Sequence, residues 1–136
     1  MESLNTGKKN IVPFPADFLL KLEREVYIFL SLTGGLTSRS ILLSAFKHYV
    51  DPTSMLYSGK NSQDHLYMLF QNLRVVIRGL GKIGESEDII ILEEYKQNKS
   101  DLALLDKSDK YDVLLKRIKD CVDDSVLSIL QKKKAT

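Results

Sequence analysis

The stretch from Asn61 to Leu104 constrains the fold of this chain more than any other. Its first part, NSQDHLYMLFQNLRVVIRGLG, sets Leu66, Leu69, Phe70, Leu73, Ile77 and Leu80 at three- and four-residue intervals, the spacing that gathers side chains onto one face of a helix. Then comes Asp88-Ile89-Ile90-Ile91-Leu92. Three consecutive β-branched residues lose side-chain freedom in a helix and suit a pleated strand. A second apolar run, Asp101 to Leu105, follows Asn98-Lys99, which is a turn signal. The expected architecture is mainly α with a small β-hairpin over Ile89 to Leu105, an α+β domain. If that run coils instead, the alternative is an all-α helical bundle.

Two helices are expected before this stretch. Pro13 and Pro15 open the first, which should span Ala16 to Leu32 with Leu19, Leu22, Val26, Phe29 and Leu30 as its core face and Lys21, Arg24 and Glu25 opposite. Gly34-Gly35 ends it. Thr37 or Ser38 is placed to cap the second, whose core face is Ile41, Leu42, Ala45, Phe46 and Tyr49, and Asp51-Pro52 stops it. Beyond Ser108 a long amphipathic helix carries Tyr111, Leu115, Ile118, Val122, Val126 and Ile129 along one side, widened by Leu114, Cys121 and Leu130. This broad face is the expected dimer or partner interface. The chain thus divides into a flexible N-terminal segment over 1–12, a domain over 13–107 and a C-terminal helix over 108–136.

Composition narrows the functional classes. A chain of 136 residues, 43% hydrophobic and 28% charged, suits one domain with an ordinary core. No run approaches the roughly 18 apolar residues that span a bilayer, and MESLNTGKKNIVPF lacks the apolar centre of a signal peptide. Cys121 is alone, so an internal disulfide cannot form, and a buried thiol in a reducing compartment is expected. These features point to an intracellular protein, cytoplasmic or nucleoid-associated or nuclear, without a membrane partner. The net charge of +2 is low for a phosphate-binding surface. The charges are nevertheless segregated: Arg74, Arg78 and Lys82 lie in a segment without acids, whereas Glu85, Glu87, Asp88, Glu93 and Glu94 lie in one without bases.

Motifs for chemistry do not assemble. Gly79-Leu80-Gly81-Lys82-Ile83-Gly84 has the letter pattern of a dinucleotide fingerprint, but that fingerprint sits between a strand and a crossover helix. Here only Glu85 to Asp88 separates the last glycine from the next expected strand, so the glycines are read as ending a helix and allowing close approach to the hairpin. His48 and His65 have no partner at the spacing of a zinc site or nucleophilic dyad. Glu93-Glu94 and Asp123-Asp124 are sequence neighbours, which do not converge on one substrate. The expectation is a non-enzymatic protein with no metal site and no small-molecule cofactor.

One polar stripe stands out on the third helix. Tyr67, Gln71, Arg74 and Arg78 recur at helical spacing, and arginine and glutamine are residue types that read base edges in a major groove. From Phe18 to Leu105 the order of elements resembles the winged-helix effector domains of bacterial response regulators and related one-component activators. LTGGLTSRSILLSAF is similar to that family's turn between its first two helices, and NSQDHLYMLFQNLRVVIRGLG to its recognition helix. The resemblance implies that Tyr67, Gln71, Arg74 and Arg78 face double-stranded DNA. It further implies that Lys96 and Lys99 on the wing touch phosphates and that Arg39 or Lys47 assists from the second helix. The functional expectation is a double-stranded DNA-binding protein regulating transcription or replication, acting as a homodimer. The alternative is a protein–protein interaction module, winged-helix or all-α, serving as subunit or adaptor in a larger assembly.

Overall fold

The computed structural model describes residues 16–51, 63–97 and 111–135. Every regular element among them is a helix: α1 (Ala16–Thr33), α2 (Leu36–Val50), α3 (Gln63–Ile83), α4 (Ser86–Gln97) and α5 (Tyr111–Ala135). The central element is α3, which packs on α1, α2 and α5, while α4 closes against α5. Directions follow from the contacts. Asn72 meets Leu20 and Gly79 meets Ser31, so α1 runs parallel to α3; Tyr49 bonds Asn72 and Leu42 abuts Gly79, so α2 runs the other way. Tyr67 with Arg117 and Ile77 with Ser125 set α5 parallel to α3, and Arg39 with Asp88 and Phe46 with Tyr95 set α4 parallel to α2. The described helices therefore alternate in direction along the chain.

The expected hairpin is corrected: Ile89, Ile90 and Ile91 are coiled into α4, and no strand occurs among the described residues. The wing that the resemblance implied thus has a helix where its first strand should be, and the all-α alternative describes the fold. The β-branched cost is a few tenths of a kcal/mol per residue, roughly 1 kcal/mol for the block. Local and tertiary terms exceed it. Asp88 accepts a 2.8 Å hydrogen bond from the Glu85 backbone amide, a carboxylate reaching back to the helix start. Glu87 and Asp88 lie in the first turn and Lys96 in the last, each matching the helix dipole. Asp88, Leu92 and Tyr95, spaced by four and three, are all buried. The turn at Asn98-Lys99, the run Asp101 to Leu105 and the segment 1–12 lie outside the described residues.

On α3 the expected face is the observed one. Leu66, Leu69, Phe70, Leu73, Ile77 and Leu80 are buried, joined by Val76. The glycines act differently from expectation, because α3 runs through Gly79 and Gly81 to Ile83. A Cβ at Gly79 would lie 2.9 Å from Leu42 and 3.2 Å from Ser31, and one at Gly81 would lie 2.8 Å from the backbone Cα of Ser125. These two glycines let α3 approach neighbours on different sides. Gly84 is the stop: its amide bonds Leu80 O at 2.7 Å, and a Cβ there would strike that carbonyl.

The α1–α2 corner depends on backbone that L-residues avoid. Gly34 has φ +71° and Gly35 has φ +94°, ψ 166°, the latter in a region open essentially to glycine alone. Gly35→Ala is expected to cost about 2 kcal/mol although its Cβ would meet nothing. Urea denaturation would read this as a lower midpoint at unchanged slope.

On α5, Leu114, Ile118, Cys121, Val122 and Ile129 are buried, and Leu115 and Val126 pack partly against the same core. Much of the face expected to bind another copy therefore packs on the chain's own helices, while Leu130 is exposed and the Tyr111 side chain lies outside the described residues.

Candidate functional site

A surface helix ordinarily turns its apolar stripe inward. The helix α1 does the reverse over much of its length. Leu19, Leu22, Val26 and Phe29, expected in the core, are exposed, with Val26 at 52% and Phe29 at 63%; Phe18 and Leu32 extend the stripe, Leu32 at 70%. Leu36, the first residue of α2, is also exposed, at 75%. Leu30, expected in the core, is partly buried against it.

Inward, α1 presents Leu20 and Ser31 together with polar groups that bond across the bundle. Asn72 of α3 is fully buried and donates through Nδ2 to Leu20 O and to Tyr49 Oη, both at 2.9 Å, while its Oδ1 accepts from Arg24 Nε at 2.9 Å. Tyr49 donates to Glu23 at 2.6 Å and Tyr27 donates to the same oxygen at 3.1 Å. Burial and then Glu23 push the Tyr27 phenol up to about 12 and raise that of Tyr49 further, so both remain hydroxyl donors. This network orients α1, because turning the helix to bury Phe29 would take Leu20 O and Arg24 from Asn72 and the Glu23 acceptor from the Tyr49 hydroxyl. A sequence signal for this exists: α1 is apolar around most of its circumference outside Lys21 and Glu23-Arg24-Glu25, as in a helix covered on both sides.

The described residues expected to meet DNA lie on α2, α3 and α4. Tyr67, Gln71 and Arg74 lie partly buried on α3, and Arg78 is exposed. The Tyr67 hydroxyl accepts from Arg117 at 3.2 Å, and hydrogen bonds from Gln71 first and Arg117 second lower its pKa. The buried Nε of Arg74 has no hydrogen-bond partner. Arg39 is engaged elsewhere: its Nε and one terminal nitrogen grip Asp88 at 2.8 and 2.7 Å, and the same nitrogen reaches Glu87 at 2.6 Å. Lys96 pairs with Asp123 at 2.5 Å, Lys47 is exposed on α2, and Lys99 lies outside the described residues. Of the duplex-facing set implied by the resemblance, Arg39 and Lys96 are thus engaged in ion pairs within the chain.

The α3–α4 corner gathers these pairs. Lys132 of α5 donates to the carbonyls of Lys82 at 2.7 Å and Gly84 at 3.0 Å, closing the end of α3 beside Asp88. An open cleft of about 170 Å³, lined by Arg78, Gly81, Lys82, Asp124, Ser125 and Ser128, lies between α3 and α5. It is smaller than the roughly 300 Å³ at which small-molecule pockets begin. Among the described residues, no group of His, Cys, Asp and Glu could hold a metal ion, and no helix is long and apolar enough to cross a membrane.

No protein-family model, curated protein or solved structure matches this chain.

Proposed function

We propose that this protein is an all-α interaction module that docks another polypeptide on the outer face of α1. The observation that carries this reading is the inversion of α1: Leu22, Val26, Phe29 and Leu32 stand exposed at three- and four-residue spacing along one side, while polar groups of the same helix bond inward. Contiguous apolar surface on this scale marks an interaction site, whereas single exposed apolar residues carry no such meaning. A photo-reactive amino acid at Phe29, introduced in the cells that make the protein, should give covalent adducts with a polypeptide. The same probe at Lys47, exposed on α2, should not. Adducts that form equally at both positions, or at neither, overturn the reading.

Duplex DNA binding is a second reading, favoured by one observation. Arg74 Nε lacks a protein acceptor and lies on the same helix as exposed Arg78 and Lys82. Its test is duplex affinity against salt, with Arg74→Ala and Arg78→Ala expected to lower the affinity and reduce the salt slope by about 1 each. Wild type that binds no duplex at low salt eliminates it.

A further inference from the structure

The occupant of the α1 face can be specified, an inference that rests on the interaction reading above. We propose that two copies of this chain associate through α1, packed face to face about a two-fold axis near Val26.

Spacing argues for a helix as the partner surface. Leu19, Leu22, Val26 and Phe29 recur at intervals of three, four and three, the seam that one helix offers to another in knobs-into-holes packing. The 18 residues of α1 give a helix about 27 Å long, so the seam runs along most of one side. Area argues for a stable pair. At the exposures observed, Phe18, Leu19, Leu22, Val26, Phe29, Leu32 and Leu36 leave on the order of 800 Å² open, about what each partner contributes to a standard interface. The stripe has Val26 near its middle with large residues on both sides, so a two-fold axis there covers the stripe of each copy with that of the other. Charge argues against a lipid surface. Lys21 and Glu25 on the outer side cancel, and the last turn of α1 has no basic residue, whereas interfacial helices carry Lys and Arg on the polar face.

Sedimentation equilibrium of the full chain should give twice the monomer mass of 15.5 kDa. Leu22→Glu with Phe29→Glu should weaken the dimer by about a hundredfold or more. Both side chains are exposed in the single chain, so far-ultraviolet circular dichroism should be unchanged. In a Cys121→Ala background, Val26→Cys should oxidise to a covalent dimer, and Ile90→Cys, exposed on α4, should not. A dimer insensitive to the α1 glutamates overturns the proposal, as does a monomeric wild type whose Val26→Cys form does not cross-link. A monomer that still gives Phe29 adducts with a different protein, or with another segment of its own chain, removes the second copy as occupant and leaves α1 as a contact face. A monomer with no such adducts removes both.

Discussion

Asp88→Ala should lower the stability of this protein by about 3 kcal/mol and its melting temperature by about 10 °C. The aspartate is fully buried and is bonded by three groups: two nitrogens of Arg39 at 2.8 and 2.7 Å and the backbone amide of Glu85 at 2.8 Å. Alanine removes the start signal of α4 and leaves the sheltered Arg39 with Glu87 alone, whose side chain is 72% exposed. Breaking a buried pair from one side costs more than the pair contributes, because the remaining charge stays desolvated. A double-mutant cycle with Arg39→Ala should return a coupling of about 2 kcal/mol. A coupling near zero would show that the capping bond alone holds the corner.

The same residue sets a pH dependence. Burial works to raise the Asp88 pKa, but hydrogen bonds from Arg39 and the Glu85 amide outweigh it and hold the carboxyl below its usual range. Since the folded value is the lower one, the folded state binds the proton less readily than the unfolded chain. This stabilisation is complete above the unfolded value of about 3.9 and is lost as pH falls through the folded value beneath it. Urea midpoints measured down through this range should fall in wild type and fall less steeply in Asp88→Asn, which keeps the shape without the titration. Parallel curves for the two proteins would exclude Asp88 as the source.

Gly81→Ala should destabilise by about 2 kcal/mol, opposite in sign to helix propensity, which credits Gly→Ala inside a helix with about 1 kcal/mol of stabilisation. The reason is the α3–α5 crossing. The new Cβ would sit 2.8 Å from the Cα, Cβ and Oγ of Ser125, so backbone must move and the 2.9 Å bond from Ser125 Oγ to Ile77 O is strained with it. Gly79→Ala should cost less, because its nearest neighbour is the flexible end of Leu42. Thermal melts of both variants decide the matter. If Gly81→Ala melts higher than wild type, the crossing is looser than the contacts require.

These effects sit where local reading and tertiary structure part company. The α3 core was legible, because a polar start and six apolar residues at helical spacing admit one buried face. The Arg39–Asp88 pair was not, since its members lie 49 residues apart and nothing local marks them as partners. In α4 the strand reading weighed three isoleucines and missed the acidic first turn and the 88, 92, 95 spacing, both visible in the sequence. In α1 the more apolar side is the one that local periodicity places in the core, and it is the exposed one. Asn72 decides between the two sides, because two of its three hydrogen bonds need Leu20 and Arg24 turned toward α3.

The sequence alone carries the existence of α1, α2, α3 and α5, the glycine corner between the first two and the buried side of α3, because these follow from local backbone preference and a single dominant periodicity. The packed molecule is needed to see that Asp88 of the isoleucine helix meets Arg39, that Gly79 and Gly81 serve helix crossings and that the apolar side of α1 faces outward. Each of those outcomes depends on partners distant in sequence, where buried polar groups must find hydrogen bonds and close backbones leave no room for a side chain.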